Sequence, residues 1–156
     1  MKKILSLLVG MTLSISFLSA QNAYRAAGDM SIEAGAGYGT LGFGVQVNFD
    51  YTVFDFGSAG NLSFGGYVGD SMEQSTHCML VGPMVSYRFP ISESFELSAR
   101  SVLGYGLVFN EYAHAGRFGE AFFAGATYYI SDRIGIGGEL CYGVAPTVSA
   151  HIAIRL

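Results

Sequence analysis

Lysine is absent from this 156-residue chain beyond position 3. Residues 21–156 carry six arginines against twelve aspartates and glutamates, a formal net charge of −6. A chain with so few cations has no basic stripe to neutralise phosphates. The composition therefore argues against nucleic acid as a partner.

Long apolar runs are also missing, except at the N-terminus. The first twenty residues, MKKILSLLVGMTLSISFLSA, join Lys2 and Lys3 to an apolar stretch and end on the small residues Ser19 and Ala20. This pattern predicts a signal peptide (residues 1–20), cut after Ala20, and hence export. An uncleaved anchor helix is the alternative, but the run is short for one. No later run approaches the about 20 apolar residues of a transmembrane helix, although 51% of the chain is hydrophobic.

Cysteine occurs twice, as Cys78 and Cys141. Two cysteines in an exported protein favour a disulfide. The prediction below puts Cys78 and Cys141 on strands that are not adjacent. Their Cα atoms are therefore expected to lie farther apart than the roughly 4.4–6.8 Å that a bridge needs. Two free thiols facing the interior are the preferred interpretation, with a disulfide as the alternative. The three histidines and two cysteines show no paired ligand spacing, so no metal or cofactor is expected.

An alternation of large apolar residues with glycine or polar residues is the dominant pattern, as in FGVQVNFDYTV (43–53). It recurs eight times and predicts strands at 30–38, 43–53, 61–69, 79–89, 95–109, 121–130, 134–142 and 148–156. Turn-forming residues separate the strands, and no helical period or second domain appears. Residues 21–29 are interpreted as a short lead-in and 30–156 as one all-β domain. Pro83, inside the fourth strand, predicts a local defect in pairing.

The two faces of these strands differ mainly in volume. One face carries Phe, Tyr, Leu, Ile and Val at most positions, and the other carries glycines and polar residues. An eight-stranded barrel is only just wide enough for its interior side chains, so the bulky face has to lie outside. A barrel with a bulky apolar exterior suits lipid. The sequence therefore predicts an eight-stranded antiparallel up-and-down transmembrane β-barrel, with aromatic belts near both ends of the strands.

Charged side chains fall on the glycine face, where they would form a lumen charge cluster. Its predicted members are Glu33, Asp50, Arg88, Glu96, Arg100, Glu139, His151 and Arg155. One interpretation is a structural plug of paired charges that fixes the strand register. The alternative is a narrow ion channel gated by Arg100, which would switch between carboxylate partners.

The segment VGPMVSYRFPISESFELSARSVLGYGLVFN (81–110), with its Y-x-F-P turn and L-G-Y-G strand end, resembles the small OmpA/OmpX-like outer-membrane barrels, particularly those of Bacteroidetes. Members often end in Phe, where this chain has Leu156. The resemblance implies a place in the outer membrane of a Gram-negative bacterium. It also implies contact with lipopolysaccharide, phospholipid and the outer-membrane assembly machinery.

The remaining polar residues bear on an enzymatic function, the alternative to a structural role. A lipid A-modifying enzyme would need a serine–histidine pair with an orienting acid. The candidates are His77, His114, Ser71, Asp70 and Glu111 in the outer loops and Ser149 with His151 in strand eight. No motif surrounds them, so the protein is expected not to be an enzyme.

The longest outer loops, 69–76 and 110–119, are where a surface ligand would bind. The expected contact residues there are Tyr112, His114, Arg117 and Phe118.

Overall fold

The computed structural model describes residues 25–73, 75–109 and 114–156. Alternating side chains give eight strands in this part of the chain. They are β1 (Met30–Gly39), β2 (Gly42–Asp55), β3 (Asn61–Glu73), β4 (Thr76–Ser92), β5 (Phe95–Phe109), β6 (His114–Tyr129), β7 (Ile134–Gly143) and β8 (Val148–Arg155). A 3-10 turn, Gly57–Ala59, lies between β2 and β3. Within the described ranges no helix is long and apolar enough to cross a membrane.

The strands form one closed barrel in which each strand pairs with its neighbours in the chain. Antiparallel pairing of β1 with β8, with Ser31 opposite Arg155, closes the seam. Closure leaves no free sheet edge along the paired residues, which is the condition for a sheet surrounded by lipid. The end at which β1 begins and β8 ends is called the terminus end, and the opposite one the loop end. The predicted fold class is confirmed.

The outward face is the bulky one, as the volume argument predicts. Its exposed side chains include Phe43, Val45, Val47, Phe49, Tyr51, Phe64, Val81, Tyr105, Phe122, Ile136 and Ile152. The inward face holds most of the buried polar and charged residues. The strand ends add outward acids that the shorter predicted strands lacked, namely Asp70 and Glu120 near the loop end.

Glycines on the inward face make room for long side chains, which the alternation also predicts. A Cβ at Gly135 would meet the ring of Tyr129 at 3.0 Å, and one at Gly69 would meet the ring of Tyr67 at 2.7 Å from Cζ. Side chains at these positions would force the rings out of the lumen. The glycine face is therefore a packing requirement of a narrow barrel.

Pro83 interrupts the pairing of β4 with β5. The ladder passes from Val81 opposite Tyr105 to Met84 opposite Val102, so the register is unchanged across a gap of two residues. Proline has no N–H to contribute to the ladder, which is the physical reason for the gap. The predicted local defect is present.

The strands near the loop end are longer than predicted, which corrects the two outer loops. β3 and β4 continue to Glu73 and from Thr76, so most of the predicted loop 69–76 is strand. β6 begins at His114 instead of residue 121, so 114–119 also belong to a strand. The alternation weakens in the glycine-rich segment 115–119, which explains the late predicted start. Pairing with the regular strand β5 extends β6 back to His114.

Placing a charge on the outward face tests which surface meets lipid. Val47 lies in the middle of β2 with 51% of its surface exposed. Val47→Arg is expected to lower the free energy of unfolding from lipid vesicles by about 2–4 kcal/mol, measured by urea titration. Tyr38→Arg, near a strand end, is the matched control and should cost about 0–1 kcal/mol. Equal losses in the two variants would contradict a lipid-facing assignment for Val47.

Candidate functional site in the barrel lumen

Arg88 of β4 is the centre of the lumen charge cluster, and its side chain is fully buried. Its Nη2 donates to Glu33 Oε1 at 2.5 Å and to Asp50 Oδ2, while Nη1 donates to Glu96 Oε1 at 2.7 Å. These three carboxylates come from β1, β2 and β5. One guanidinium therefore links three strands besides its own through charge-assisted hydrogen bonds.

Arg100 of β5 makes the second set of contacts. Its Nη1 donates to Glu33 Oε2 at 2.7 Å, and its Nη2 donates to Glu139 Oε2 on β7. Glu139 also accepts hydrogen bonds from Gln46 and from Ser149, the latter at 3.0 Å. The switching hypothesis assumed one carboxylate partner at a time, but Arg100 holds both at once. Glu33 joins the Arg88 and Arg100 contacts into one network.

Arg25 is a member of this cluster that the sequence reasoning missed. It lies in the lead-in before β1, yet only 2% of its surface is exposed. A turn over residues 26–29 folds the chain back, with Gly28 at φ 102° and its N–H donating to the Thr52 carbonyl at 2.9 Å. We call residues 25–29 the N-terminal strap. The signal in the sequence that could have indicated Arg25 is charge balance, because the predicted cluster had four carboxylates and only three arginines.

Aromatic rings complete the polar part of the lumen. Tyr129 donates from its hydroxyl to Glu96 Oε1 at 2.9 Å, and the guanidinium carbon of Arg155 lies 3.7 Å from the Tyr129 ring centroid. Nη2 of Arg155 is 3.7 Å from Glu96 Oε2. Stacking of this kind stabilises a guanidinium that is partly removed from water. Arg155 thus belongs to the cluster as predicted by its position.

An apolar cluster lies in the lumen towards the loop end, which the expectation of a wholly polar interior did not foresee. Its buried members are Tyr67, Leu80, Met84, Val102, Ala121, Phe123 and Ala145. Ala145 and the fully buried Pro146 belong to the β7–β8 connection, which turns into the barrel mouth. Phe123 contacts both parts, because its ring is 5.3 Å from that of Tyr67 and 5.7 Å from the Arg100 guanidinium carbon. The lumen therefore has a charged part and an apolar part.

Comparison with known proteins agrees with this geometry at the level of the fold. No family model matches the chain, and no match is found among curated proteins. Similar solved structures include the N-terminal β-barrel domain of Pseudomonas aeruginosa OprF, at 12% identity and a TM-score of 0.59, covering 85% of this chain and all of that one. Neisserial surface protein A (NspA) has 14% identity and a TM-score of 0.55, covering 82% and 95% of the two chains. A de novo designed transmembrane β-barrel has 18% identity and a TM-score of 0.58, covering 85% and 98%.

The fold is that of the small eight-stranded outer-membrane β-barrels. The strand count, the closed antiparallel order and the bulky exterior all agree with it. The resemblance to OmpA/OmpX-like barrels, first seen in residues 81–110, is thereby confirmed for the architecture.

The structure brings most of the predicted cluster of this barrel together. Seven of its members form the linked contacts above, namely Glu33, Asp50, Arg88, Glu96, Arg100, Glu139 and Arg155. His151 lies in the lumen too, but its ring nitrogen Nε2 hydrogen-bonds Thr127 Oγ1 at 3.0 Å.

The predicted surface contacts are less well placed. Tyr112 lies outside the described residues, and His114 begins β6 instead of standing in a loop. Arg117 and Phe118 are strand residues as well; Phe118 is 80% exposed and its ring is 6.1 Å from that of Tyr105. They form a projecting strand surface because β6 pairs with β7 only from Ala121 onward.

The polar residues considered for an enzyme are only partly paired. His77 Nδ1 is 3.0 Å from Asp70 Oδ2, but these side chains face outward whereas Ser71 is buried. Ser149 donates to Glu139, so it is not engaged with His151.

Cys78 and Cys141 are free thiols, and Cys141 packs against the apolar cluster. Across the described residues, no group of three or more metal-ligating side chains is found.

Proposed function

We propose that this protein is a structural or surface-interacting component of a bacterial outer membrane, with a closed lumen that does not conduct ions. The observation that supports the proposal is the succession of buried side chains along the lumen. Arg25 occupies the terminus end, the charge network of Arg88 and Arg100 follows, and the apolar cluster reaches the loop end under Pro146. An ion would have to break buried pairs and then cross a layer of buried apolar side chains, both of which are costly.

Location in the outer membrane is supported by the fold and by the N-terminal sequence. The proposed route is export after cleavage at Ala20 and insertion by the outer-membrane assembly machinery. Lipopolysaccharide and phospholipid would then contact the exposed ring of apolar side chains. The solved outer-membrane barrels with the same fold support this placement.

The closed lumen predicts silence in a conductance measurement. Protein extracted in detergent and inserted into a planar lipid bilayer is expected to give no stepwise currents above those of detergent alone. Folding of the same sample is checked by gel mobility, because a closed barrel resists SDS until it is boiled. Stepwise currents from the folded, unboiled form would favour the narrow channel and contradict the closed lumen.

The enzyme hypothesis predicts a change in lipid A, and mass measurement of lipid A tests it. Lipid A from cells with and without the gene is expected to have the same masses, because the described residues bring no serine hydroxyl onto the outward His77–Asp70 pair. A mass change of one acyl chain, absent in a strain carrying His77→Ala, would instead assign lipid modification to this pair.

A further inference from the structure

The N-terminal strap places the Arg25 guanidinium in a cradle of four acceptors at the terminus end. Nη1 donates to Ser31 Oγ at 2.7 Å and to Asp50 Oδ1 at 3.4 Å. Nη2 donates to Tyr129 hydroxyl oxygen at 2.7 Å and to Glu96 Oε1 at 3.3 Å. The strap thus reaches back from outside the strands to fill a polar site between β1, β2, β5 and β6.

The geometry of these acceptors selects a guanidinium over other cations. Each terminal nitrogen of Arg25 uses two acceptors, so the site matches a planar fork with donors on two separate atoms. An ammonium has three donors on one nitrogen and reaches fewer of these oxygens. The acceptors are also held in place without Arg25, because Ser31 donates to Asp50 at 2.8 Å and Tyr129 donates to Glu96 at 2.9 Å.

The charge of the cluster gives the site its affinity for a cation. The four carboxylates Glu33, Asp50, Glu96 and Glu139 face the arginines 25, 88, 100 and 155, a balance of zero. Removing the Arg25 charge leaves one buried negative charge uncompensated. A buried charge without a partner is strongly unfavourable, so the vacated site attracts a replacement cation.

We propose that Ser31, Asp50, Glu96 and Tyr129 form a guanidinium-binding site, which Arg25 occupies in cis and which accepts an external guanidino group when the Arg25 side chain is absent. The ligand class is a guanidino compound or an exposed arginine side chain that approaches from the terminus end. This proposal goes beyond the closed lumen proposed above, because the four acceptors at the terminus end can bind a guanidinium whether or not the rest of the lumen conducts ions.

Chemical rescue of Arg25→Ala tests the site. Protein extracted in detergent is heated, and the temperature at which the SDS-resistant band disappears is measured. Arg25→Ala is expected to melt below the wild type. Guanidinium chloride, far below the molar range that denatures proteins, should raise the melting temperature of the variant by several degrees, as ligand binding to the folded state requires. The wild type, whose site is filled, should show no such rise.

Three comparisons make the result specific. Potassium chloride at the same ionic strength should not rescue Arg25→Ala, and Arg25→Ala combined with Glu96→Gln should lose the rescue. Equal shifts with potassium, or no shift with guanidinium, would overturn the proposal. If Arg25→Ala does not survive extraction, the yield of SDS-resistant barrel on refolding replaces the melting temperature, and guanidinium must raise that yield above potassium.

The source of the ligand and the state of the lumen are separated by two further arms. Rescue by methylguanidinium alone indicates a small guanidino compound, whereas rescue by the tripeptide Gly-Arg-Gly as well indicates that an arginine side chain of another protein can enter. Conductance of the wild type is recorded independently. Currents with intact rescue would refute the closed lumen but retain the binding site, and silence without rescue would do the reverse.

Discussion

Arg88→Ala is expected to destabilise the barrel more than any other single truncation in the charge cluster. The substitution leaves Glu33, Asp50 and Glu96 without their shared cation, and all three are buried. Breaking one buried ion pair by removing one partner costs about 3–5 kcal/mol, so a loss at or above about 5 kcal/mol is expected here. Urea unfolding of the protein in lipid vesicles, followed by gel mobility without boiling, measures it.

Arg133→Ala is the matched control, since it removes the same side chain from the exposed β6–β7 connection. Its effect should stay within about 0.5 kcal/mol. A comparable small loss for Arg88→Ala would mean that water enters the cluster and hydrates the three carboxylates. That result would contradict the dry, closed lumen on which the proposed function depends.

Arg100→Ala is expected to lower the free energy of unfolding by about 3–5 kcal/mol, because it leaves Glu33 and Glu139 short of a buried partner. A double-mutant cycle with Glu139→Gln isolates the pair. The amide keeps the shape of Glu139 without its charge, so the double variant should lose less than the sum of the single losses, with a coupling above about 1 kcal/mol. The readout is again urea unfolding from vesicles.

Conductance of the same variants, measured beside their stability, distinguishes a structural pair from a gate. Because Arg100 contacts Glu33 and Glu139 together, a structural role predicts strong coupling and no current in any variant. A loss under about 1 kcal/mol for Arg100→Ala would contradict the pairing. Currents that appear in Arg100→Ala alone would show that this side chain blocks an ion path.

The predictable part of the fold depends on period-2 alternation. Val45, Val47 and Phe49 alternate cleanly with Gln46 and Asn48, so the assignment of faces needed no structure. β6 is different, because residues 115–119 include two glycines and no clear alternation. The first residues of β6 are placed by pairing with β5, a tertiary contact that a local pattern does not encode.

The charge cluster was predictable for the same reason, since parity alone sends Glu33, Arg88 and Arg100 inward. Arg25 was not, because no strand period applies before Met30 and its place depends on a turn at Gly28. The apolar cluster was missed because Leu80 and Met84 share a face with glycines and charges. Parity sends these two side chains inward as well, but their clustering with residues of other strands depends on the register between strands, which the pattern of one strand does not encode.

Both elements that we propose to close the lumen flank the same seam. The N-terminal strap, which begins with Arg25, immediately precedes β1, and the connection carrying Ala145 and Pro146 immediately precedes β8, the strand that β1 pairs with. During assembly, we expect β1 and β8 to meet before the strap and the connection can both take their final places. Until they do, the open side would leave the carboxylates in contact with water. We therefore expect pairing along this seam to be also the step that removes water from the carboxylates, so an unfinished barrel would have neither its final shape nor its buried charge cluster.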